Sequence, residues 1–445
     1  MSKIYKKNAQ NVYKLPLYRF SFFWLSVFIS IAITCYYLSK FIDFKYTNTI
    51  LLFSVFASAA LLIYKIFIIL KRLFRTKSIF KYITEISSEK AVTKSLLETM
   101  TVNRLKDSPF VAVPRVRVFD NRPKNILVEV EKLAGMYEIE KMTEDINSSF
   151  RRSLKDYAVT SAIISDDGLT YSFSLENVGS DKTFRPRNLA DLKTENYHIK
   201  LQEDLIINLA DRPHLAVWGR TGSKKTTVLF SLILQLFQMN ADVRFIDGKD
   251  EFSSFKSFYP PEKIISDAED VLNLLNEILD IVKERQKMVA DAVRQQEKIG
   301  LKASEIGLKP IVLIADEVGS IVALLDSKQK KQFISSLIAI IQRARSVGIS
   351  VIISTQDPSV DVLPQSIRNQ FSTRILLGSA NADIQRMALA ETATIGNVED
   401  FRGFYVCDGL TTQPMKFFVA DLYTYHLNDL NTFKKAYNTS NKNVA

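Results

Sequence analysis

Two long apolar runs stand near the start of the chain. Phe20–Leu38 contains no charged residue, and the run at 49–70 contains only Lys65. A helix rises about 1.5 Å per residue, so each run is long enough to cross a bilayer core of about 30 Å. Basic residues are frequent on the two outer flanks and sparse between the runs. The pattern predicts two transmembrane helices in the cell membrane, with both chain termini in the cytoplasm.

The segments around these runs have different patterns. The first run could be a cleaved signal peptide, but its length and the second run directly after it favour a membrane anchor. Residues 1–19 are then a cytoplasmic segment. Residues 71–196 mix strand and helix patterns, which predicts a membrane-proximal linker and a small α+β domain. The expected elements there are a basic helix at 71–90, strands at 110–119 and 125–130, a helix at 136–154 and a hairpin turn at 165–168.

From residue 197 the pattern changes again. Short β-rich apolar runs alternate with long helical stretches as far as residue 425. This alternation is typical of a parallel sheet with helices on both faces. We therefore expect an α/β domain at 197–425, followed by a polar tail at 426–445.

The apolar run at 214–218 leads into a candidate phosphate-binding loop. The loop is followed by an apolar helix, and strand, loop and helix in that order are the context of a P-loop. Its backbone N–H groups and the helix N-terminus bind phosphates. In the register G-x-x-x-x-G-K-[ST], Lys225 is the catalytic phosphate lysine and Thr226 binds Mg2+. The predicted ATP-binding residues are Gly219, Arg220, Thr221, Gly222, Ser223, Lys224, Lys225, Thr226 and Thr227.

One position in this loop departs from the pattern. Lys224 stands where the second glycine is expected. Glycine at that position lets the backbone approach phosphate and adopt a conformation that other residues resist. A lysine there could crowd the site or strain the turn, or it could point outward and add positive charge.

Two acids supply the second half of the predicted site. Asp316 and Glu317 end an apolar strand at 310–317, which is the Walker B pattern. Asp316 would bind Mg2+, and Glu317 would orient or activate the attacking water. Acids that only cap the next element are the alternative. We expect Lys225, Thr226 and Asp316 to meet at one magnesium–triphosphate, at adjacent strand tips of a RecA-like P-loop motor with a mainly parallel sheet.

Further candidates follow the later strands. Gln356 comes directly after the strand Ile349–Thr355, at the edge where ligands bind in parallel sheets, and could sense the γ-phosphate. A surface glutamine without a role is the alternative. An arginine that reaches a neighbouring subunit's phosphate would accelerate hydrolysis. Arg374 is the preferred candidate for this catalytic role, and Arg343 and Arg345 are the alternatives.

Composition limits the function classes. The 445 residues are 47% hydrophobic and 24% charged, which permits packed cores in two or three domains. Lys and Arg exceed Asp and Glu by 59 − 48 = 11, which favours nucleic acid or anionic lipid as a partner. The two cysteines exclude a disulfide framework, and the three scattered histidines do not indicate a zinc site.

Several of these blocks together resemble the FtsK/SpoIIIE/HerA family of DNA motors. The matching strings are the P-loop entry at 213–223, Phe-Ile-Asp-Gly-Lys at 245–249, 344–349 leading into Ser-Thr-Gln-Asp-Pro-Ser-Val-Asp-Val at 354–362, and 367–375. The resemblance covers about 197–423. Two spans, a short domain and one motor are similar to the TcpA-like coupling ATPases of Gram-positive conjugative elements.

The resemblance implies a membrane-anchored homo-hexamer that moves double- or single-stranded DNA through a central channel. It also implies relaxase and transfer-channel proteins as partners. The lysines that we would test first as DNA contacts are Lys249, Lys256, Lys328, Lys330 and Lys331, and an ordinary solvated surface is the favoured alternative for any one of them. The alternatives are a chromosome-segregation pump, a type VII-like protein-secretion ATPase, and a nucleotide-binding scaffold in which Lys224 impairs hydrolysis. The short tail, which leaves no room for a winged-helix domain, argues against the first alternative.

Overall fold

The structure is a computed structural model that divides the chain into two compact units, Met1–Val178 and Gly179–Ala445. The described residues are 3–8, 11–14, 20–38, 47–99, 110–132, 139–150, 154, 156–165, 167–177, 179–356, 358–359, 362–389, 393–395, 401–411 and 413–442. Residues 39–46, which make up most of the predicted loop between the apolar runs, lie outside the described residues. So do Asp357 and residues 360–361 of the predicted family string.

The first unit contains the two apolar helices and a small α+β domain. Its strands are β1 (Lys3–Asn8), β2 (Asn11–Lys14), β3 (Phe110–Val113), β4 (Val116–Asp120), β5 (Ile126–Glu131), β6 (Tyr157–Ile164) and β7 (Thr170–Asn177). Its helices are α1 (Phe20–Leu38), α2 (Thr47–Thr76), α3 (Ile79–Thr99) and α4 (Ile139–Ser149).

The apolar helices α1 and α2 pack against each other, with Phe28 and Phe53 in an edge-to-face contact at 6.2 Å. Among the described residues, Thr49–Thr76 is the helix that is long and apolar enough to cross a membrane. The predicted helix at 71–90 is wrong in its bounds, because α2 continues to Thr76 and α3 begins at Ile79. Lys77 between them has φ 51°, a left-handed conformation that ends the first helix.

The small domain is built on an antiparallel sheet. Strands β6, β7, β5 and β4 pair in that order. Their alternating residues form a core with α3 and α4, which includes Val118, Val128, Phe173, Leu96 and Ile146. The alternation of apolar and polar residues, with period two, explains why one face of this sheet is buried. The predicted helix at 136–154 is shorter in the structure, where α4 spans Ile139–Ser149.

The second unit has the layers of a P-loop motor. Its strands are β8 (His198–Gln202), β9 (Leu205–Asn208), β10 (His214–Gly219), β11 (Asp242–Asp247), β12 (Ile264–Ile265), β13 (Ile311–Asp316), β14 (Ile349–Thr355), β15 (Thr373–Leu377), β16 (Ala393–Ile395), β17 (Arg402–Cys407) and β18 (Met415–Phe418). Its helices are α5 (Lys225–Gln238), α6 (Ala268–Gln296), α7 (Val318–Leu324), α8 (Ser327–Val347), α9 (Gln365–Arg368), α10 (Ala382–Leu389) and α11 (Leu430–Lys442).

The central sheet runs in the order β12-β11-β13-β14-β10-β15-β17-β18. The pairs from β12 to β15 are parallel, and β17 and β18 add antiparallel strands at one edge. The α/β motor fold predicted from the alternating pattern is confirmed, with a mixed sheet. Every residue of β10, β13 and β14 is buried, because helices cover both sheet faces.

Alternate residues of each central strand belong to two separate cores. On β10, Leu215 and Val217 face the core that contains α5, whereas Ala216 and Trp218 face the core that contains α6 and α8. The sheet is therefore held from both sides, and its C-terminal edge is fixed where the strands end.

Candidate functional site

The predicted site residues follow strands that end at the same edge of the sheet. Asp316 at the tip of β13 is in register with Ser354 on β14 and with Asp247 on β11. Trp218, the last residue before the loop glycine on β10, is in register with Thr355 on β14. The expectation of adjacent strand tips is wrong in detail, because β14 lies between β10 and β13. Sheet order differs from chain order here, and this brings the residues after β14 into the middle of the site.

The phosphate-binding loop joins β10 to the N-terminus of α5. Lys225 is the first residue of that helix, and its Nζ donates to the carbonyl oxygen of Gly219 at 2.6 Å and to that of Arg220 at 3.4 Å. Burial lowers the pKa of Lys225, and nearby Lys249 acts in the same direction, while Glu317 and Asp316 oppose them. The buried ammonium therefore lies across its own loop and within electrostatic reach of both acids.

Two glycines explain the local shape of the loop. A Cβ on Gly219 would lie 2.9 Å from the carbonyl oxygen of Leu377 on β15 and would also collide with the Ser223 hydroxyl. Gly222 has φ 83°, which favours glycine. The Ser223 hydroxyl is buried and has no hydrogen-bond partner among the described residues. The loop thus holds a polar atom that the protein itself does not satisfy.

Lys224 takes the conformation that glycine would normally supply. It has φ 74° and ψ 26°, the left-handed region. Its Nζ lies 4.7 Å from the ring centroid of Phe401 and 5.8 Å from that of Tyr423. The Tyr423 hydroxyl is 3.0 Å from Oγ1 of Thr227 in the first turn of α5. The lysine is therefore engaged with an aromatic pair, and these cation–π contacts offset part of the cost of its backbone conformation.

Asp316 is buried at the tip of β13. Burial raises its pKa, with Glu317 acting in the same direction, while the Ser354 hydroxyl, Lys249 and Lys225 oppose the shift. A cation close to this carboxylate would remove the cost of its burial. Among the described residues, no group of three His, Cys, Asp or Glu side chains could hold a metal ion. Mg2+ is commonly bound by one or two carboxylates together with waters and substrate phosphates, and the buried carboxylate of Asp316 fits that mode of binding.

Glu317 is surrounded by hydrogen-bond donors. Its Oε2 accepts from Lys249 Nζ at 2.6 Å and from Gln356 Nε2 at 2.8 Å. Its Oε1 accepts from the Gln356 backbone N–H at 3.1 Å and from the Thr355 hydroxyl at 3.1 Å. Burial raises the pKa of this carboxyl, but the bonds from Lys249 and Gln356 outweigh it and leave the pKa lowered. Glu317 is thus held as a carboxylate, as a residue that activates water must be.

Gln356 connects this acid to the phosphate loop. Its side-chain oxygen accepts from the Thr221 hydroxyl at 2.7 Å, while its side-chain nitrogen donates to Glu317. A continuous chain of hydrogen bonds therefore runs from Thr221 in the loop, through Gln356 after β14, to Glu317 after β13. This geometry suits a residue that reports on the contents of the loop.

Sequence reasoning missed the role of the segment after β11. Lys249 was one of the lysines to be tested first as a DNA contact, but its ammonium forms an ion pair with Glu317. A Cβ on Gly248 would lie 2.6 Å from the carbonyl oxygen of Glu317, so only glycine fits there. Asp247 accepts from the backbone N–H groups of Glu251 and Phe252 at 3.0 and 2.8 Å, which fixes the turn. The string Asp-Gly-Lys after a buried strand was the available signal.

The structure does not bring the three arginines predicted to act on a neighbouring subunit's phosphate into this site. Arg374 is buried on β15, and its Nη2 donates to Oδ1 of Asp408 at 2.8 Å. Arg343 and Arg345 are exposed on α8. Lys328, Lys330 and Lys331 lie in the first two turns of the same helix, and Lys256 is exposed in the segment after β11. Their roles toward a neighbouring subunit or DNA stay predictions.

Comparison with known proteins agrees with this architecture. The model of the FtsK/SpoIIIE family matches residues 187–389, which include every predicted site residue. This segment is an FtsK/SpoIIIE family domain. A curated relative, "Ftsk domain-containing protein YdcQ" of Bacillus subtilis, is 27% identical over 49% of this chain and 45% of its own length. A "DNA translocase FtsK" of Campylobacter jejuni is 31% identical over 40% of this chain and 20% of its own length. The matched region thus spans less than half of either relative.

A solved structure extends the likeness of the fold beyond the FtsK/SpoIIIE domain. It is described as the pCW3 conjugation coupling protein TcpA in monomer form with ATPγS. It covers 78% of this chain and 99% of its own, with a TM-score of 0.50 and 16% identity. At this identity the match supports the fold of the chain, and the resemblance stated from the sequence is confirmed at that level.

Proposed function

We propose that the chain is a membrane-anchored ATPase that translocates DNA, as the coupling protein that delivers DNA to a conjugative transfer channel. The observation that carries the proposal is the convergence of the phosphate loop, Asp316, Glu317 and Gln356 at one sheet edge within an FtsK/SpoIIIE domain. The curated relatives with the printed name "DNA translocase" support DNA as the substrate. The TcpA match supports the conjugative role.

In this proposal each site residue has one task. The loop N–H groups and Lys225 bind the triphosphate. Thr226 and Asp316 would hold Mg2+ through oxygen ligands, and the ion would offset charge on the phosphates. Glu317 accepts a proton from the attacking water, and Gln356 positions that acid relative to the loop. Arg374 or another arginine would act across a subunit boundary of a hexamer.

The first unit supports membrane anchoring. The helices α1 and α2 present exposed apolar side chains such as Ile33, Phe53, Phe56 and Phe67. Strand β1 before α1 pairs with β3, which follows α3. The segments on the two outer sides of the helix pair therefore lie together, which requires both to be on the same side of the membrane. The basic flanks give the same orientation.

The deciding experiment measures ATP hydrolysis by the full-length protein in detergent, with and without double-stranded DNA. We expect hydrolysis that DNA stimulates and that salt suppresses, because phosphate contacts release counterions. Glu317→Gln is the control for contaminating ATPases. Stimulation by heparin equal to that by DNA would remove DNA as the specific substrate, and absence of turnover would favour a scaffold. Loss of DNA transfer from cells that carry Glu317→Gln tests the conjugative role.

A further inference from the structure

A basic cavity lies in the first unit where the apolar helix ends. It has a volume of about 680 Å³. It is formed by the last turns of α2, by the middle of α3 and by the strand β4. Its apolar wall includes Ile68, Val118 and Phe119, and its basic residues are Lys71, Arg72, Arg75, Arg115 and Arg117. Ile68 belongs to the apolar run, whereas Lys71 is the first charge after it. The cavity is therefore at the level where a membrane-spanning helix would leave the hydrocarbon core.

The wall of the cavity is fixed by two glutamates of α3. Glu89 accepts from Arg72 at 3.0 and 2.8 Å and from the backbone N–H of Val118 at 3.1 Å. Glu85, which is buried, accepts from Arg72 at 2.8 Å and from the backbone N–H of Asp120. These bonds tie the end of α2 to the edge strand β4. The cavity is thus a built feature of the fold.

The charges of the cavity do not cancel. Glu89 is the acid among its lining residues, and Glu85 and Glu129 pair with its arginines from outside. Glu131 is a fourth acid here, because its carboxylate accepts from the backbone N–H of Arg115 at 3.2 Å. Five basic residues minus these four acids leave 5 − 4 = +1. Arg117 is exposed on β4 and Arg115 is exposed directly before that strand. The ion pair of Arg117 with Glu129 is long at 3.8 Å. The surplus charge is therefore available to an anion in the cavity.

Apolar side chains around the junction of α2 and α3, close in sequence to the basic residues of α2, are exposed. Phe74 is 78% exposed, Phe80 is 79% exposed and Ile83 is 57% exposed. Large apolar side chains next to a basic cluster are typical of a surface that contacts the headgroup region of a bilayer. A soluble anion would use the charges alone, whereas a lipid would use both the charges and the apolar wall.

We propose that this cavity binds the phosphate headgroup of one anionic phospholipid at the cytoplasmic membrane surface, with an acyl chain along α2. This inference rests on the membrane-anchoring part of the proposed function. Basic pockets at the cytoplasmic ends of membrane helices recognise anionic headgroups by this chemistry. The bound lipid would link the end of α2 to β4 and so brace the anchor against the small domain.

Native mass spectrometry of the full-length protein in detergent, titrated with phosphatidylglycerol, tests the proposal. We expect one tightly bound lipid per chain and no comparable binding of phosphatidylcholine. Arg115→Gln/Arg117→Gln should weaken binding roughly 25-fold, since each basic residue near an anionic lipid contributes about fivefold. The matched control is Lys90→Gln/Lys94→Gln, which removes the same charge from exposed positions of α3 outside the cavity. Lys71→Gln is a second cavity variant if the double variant does not fold.

Three outcomes would overturn the site. Equal losses in the cavity variant and the control would reduce the effect to general surface charge. Glycerol 3-phosphate that competes as well as the intact lipid would make the site one for a free anion. If no lipid remains bound, the cavity is not a lipid site, and a protein partner becomes the explanation for the exposed apolar residues. Binding is read directly, so a motor that does not hydrolyse ATP would disprove the proposed function without changing this result.

Discussion

Replacing Lys224 by glycine tests whether the departure from the P-loop pattern harms the site. The left-handed backbone at Lys224, with φ 74°, costs a non-glycine residue about 1–2 kcal/mol. Glycine removes that cost, but its freedom in the unfolded chain returns roughly 0.5–1 kcal/mol. The substitution also removes the contacts to Phe401 and Tyr423, which contribute about 0.5–1 kcal/mol together at such a site. These effects nearly cancel, so we expect Lys224→Gly to leave stability almost unchanged.

Lys224→Ala separates the two effects. Alanine keeps the backbone cost and loses the cation–π contacts, so it should destabilise the domain by roughly 0.5–1 kcal/mol. The melting temperature of the full-length protein in detergent should fall by about 1–4 °C for a domain of this size, and Lys224→Gly should not follow it. ATP affinity and turnover, measured in the same samples, should change less than about twofold in both variants, because the Lys224 ammonium lies over the aromatic pair.

One result would refute this reasoning. If Lys224→Gly raises ATP affinity or turnover more than about tenfold, which corresponds to 1.4 kcal/mol, the lysine obstructs the phosphate site in the wild type. A parallel gain in Lys224→Ala would identify the side chain as the obstacle, and a gain in glycine alone would identify the backbone.

Three further substitutions probe the acid and its neighbours. Glu317→Gln should retain ATP binding and lose at least about a hundredfold in turnover, because the proton acceptor is gone; unchanged turnover would exclude Glu317 from that role. Lys249→Met should shift the acidic limb of the pH–rate profile to higher pH. Without the lysine, burial raises the Glu317 pKa, so the carboxylate is protonated and inactivated at a higher pH than in the wild type. Lys256→Met is the matched control, and equal profiles in the two variants would contradict this. Gly248→Ala should destabilise the unit by about 1–3 kcal/mol, because a Cβ would lie 2.6 Å from a backbone oxygen of Glu317; a melting temperature equal to the wild type would show that the turn can shift.

The Lys249 prediction also has a stability side. Glu317 has a lowered pKa in the fold, so its ionised form stabilises the native state at neutral pH, and this contribution is lost as pH falls through the folded pKa. Lys249 is 32% exposed and Glu317 7% exposed, so solvent screens the pair only in part. We expect Lys249→Met to lower stability at neutral pH and to have less effect in acid.

Local sequence determined the elements and the chemistry that each carries. Alternating apolar runs and long helical stretches predict an α/β motor because the periods of strands and helices are local properties. The P-loop and the Walker B acids are short strings at the ends of such runs, so the local sequence alone identifies Lys225, Asp316 and Glu317 as candidates. The two apolar helices follow from composition alone.

Tertiary structure decided which of these residues meet. Strand order is set by crossovers between distant segments, and it inserts β14 between the P-loop strand and the acid-bearing strand. Gln356 consequently forms hydrogen bonds with both Thr221 and Glu317, and Lys249 reaches Glu317 from the segment after β11. The aromatic pair that engages Lys224 comes from segments far along the chain. Side-chain bonds between remote segments depend on how the sheet folds, and no local pattern encodes them.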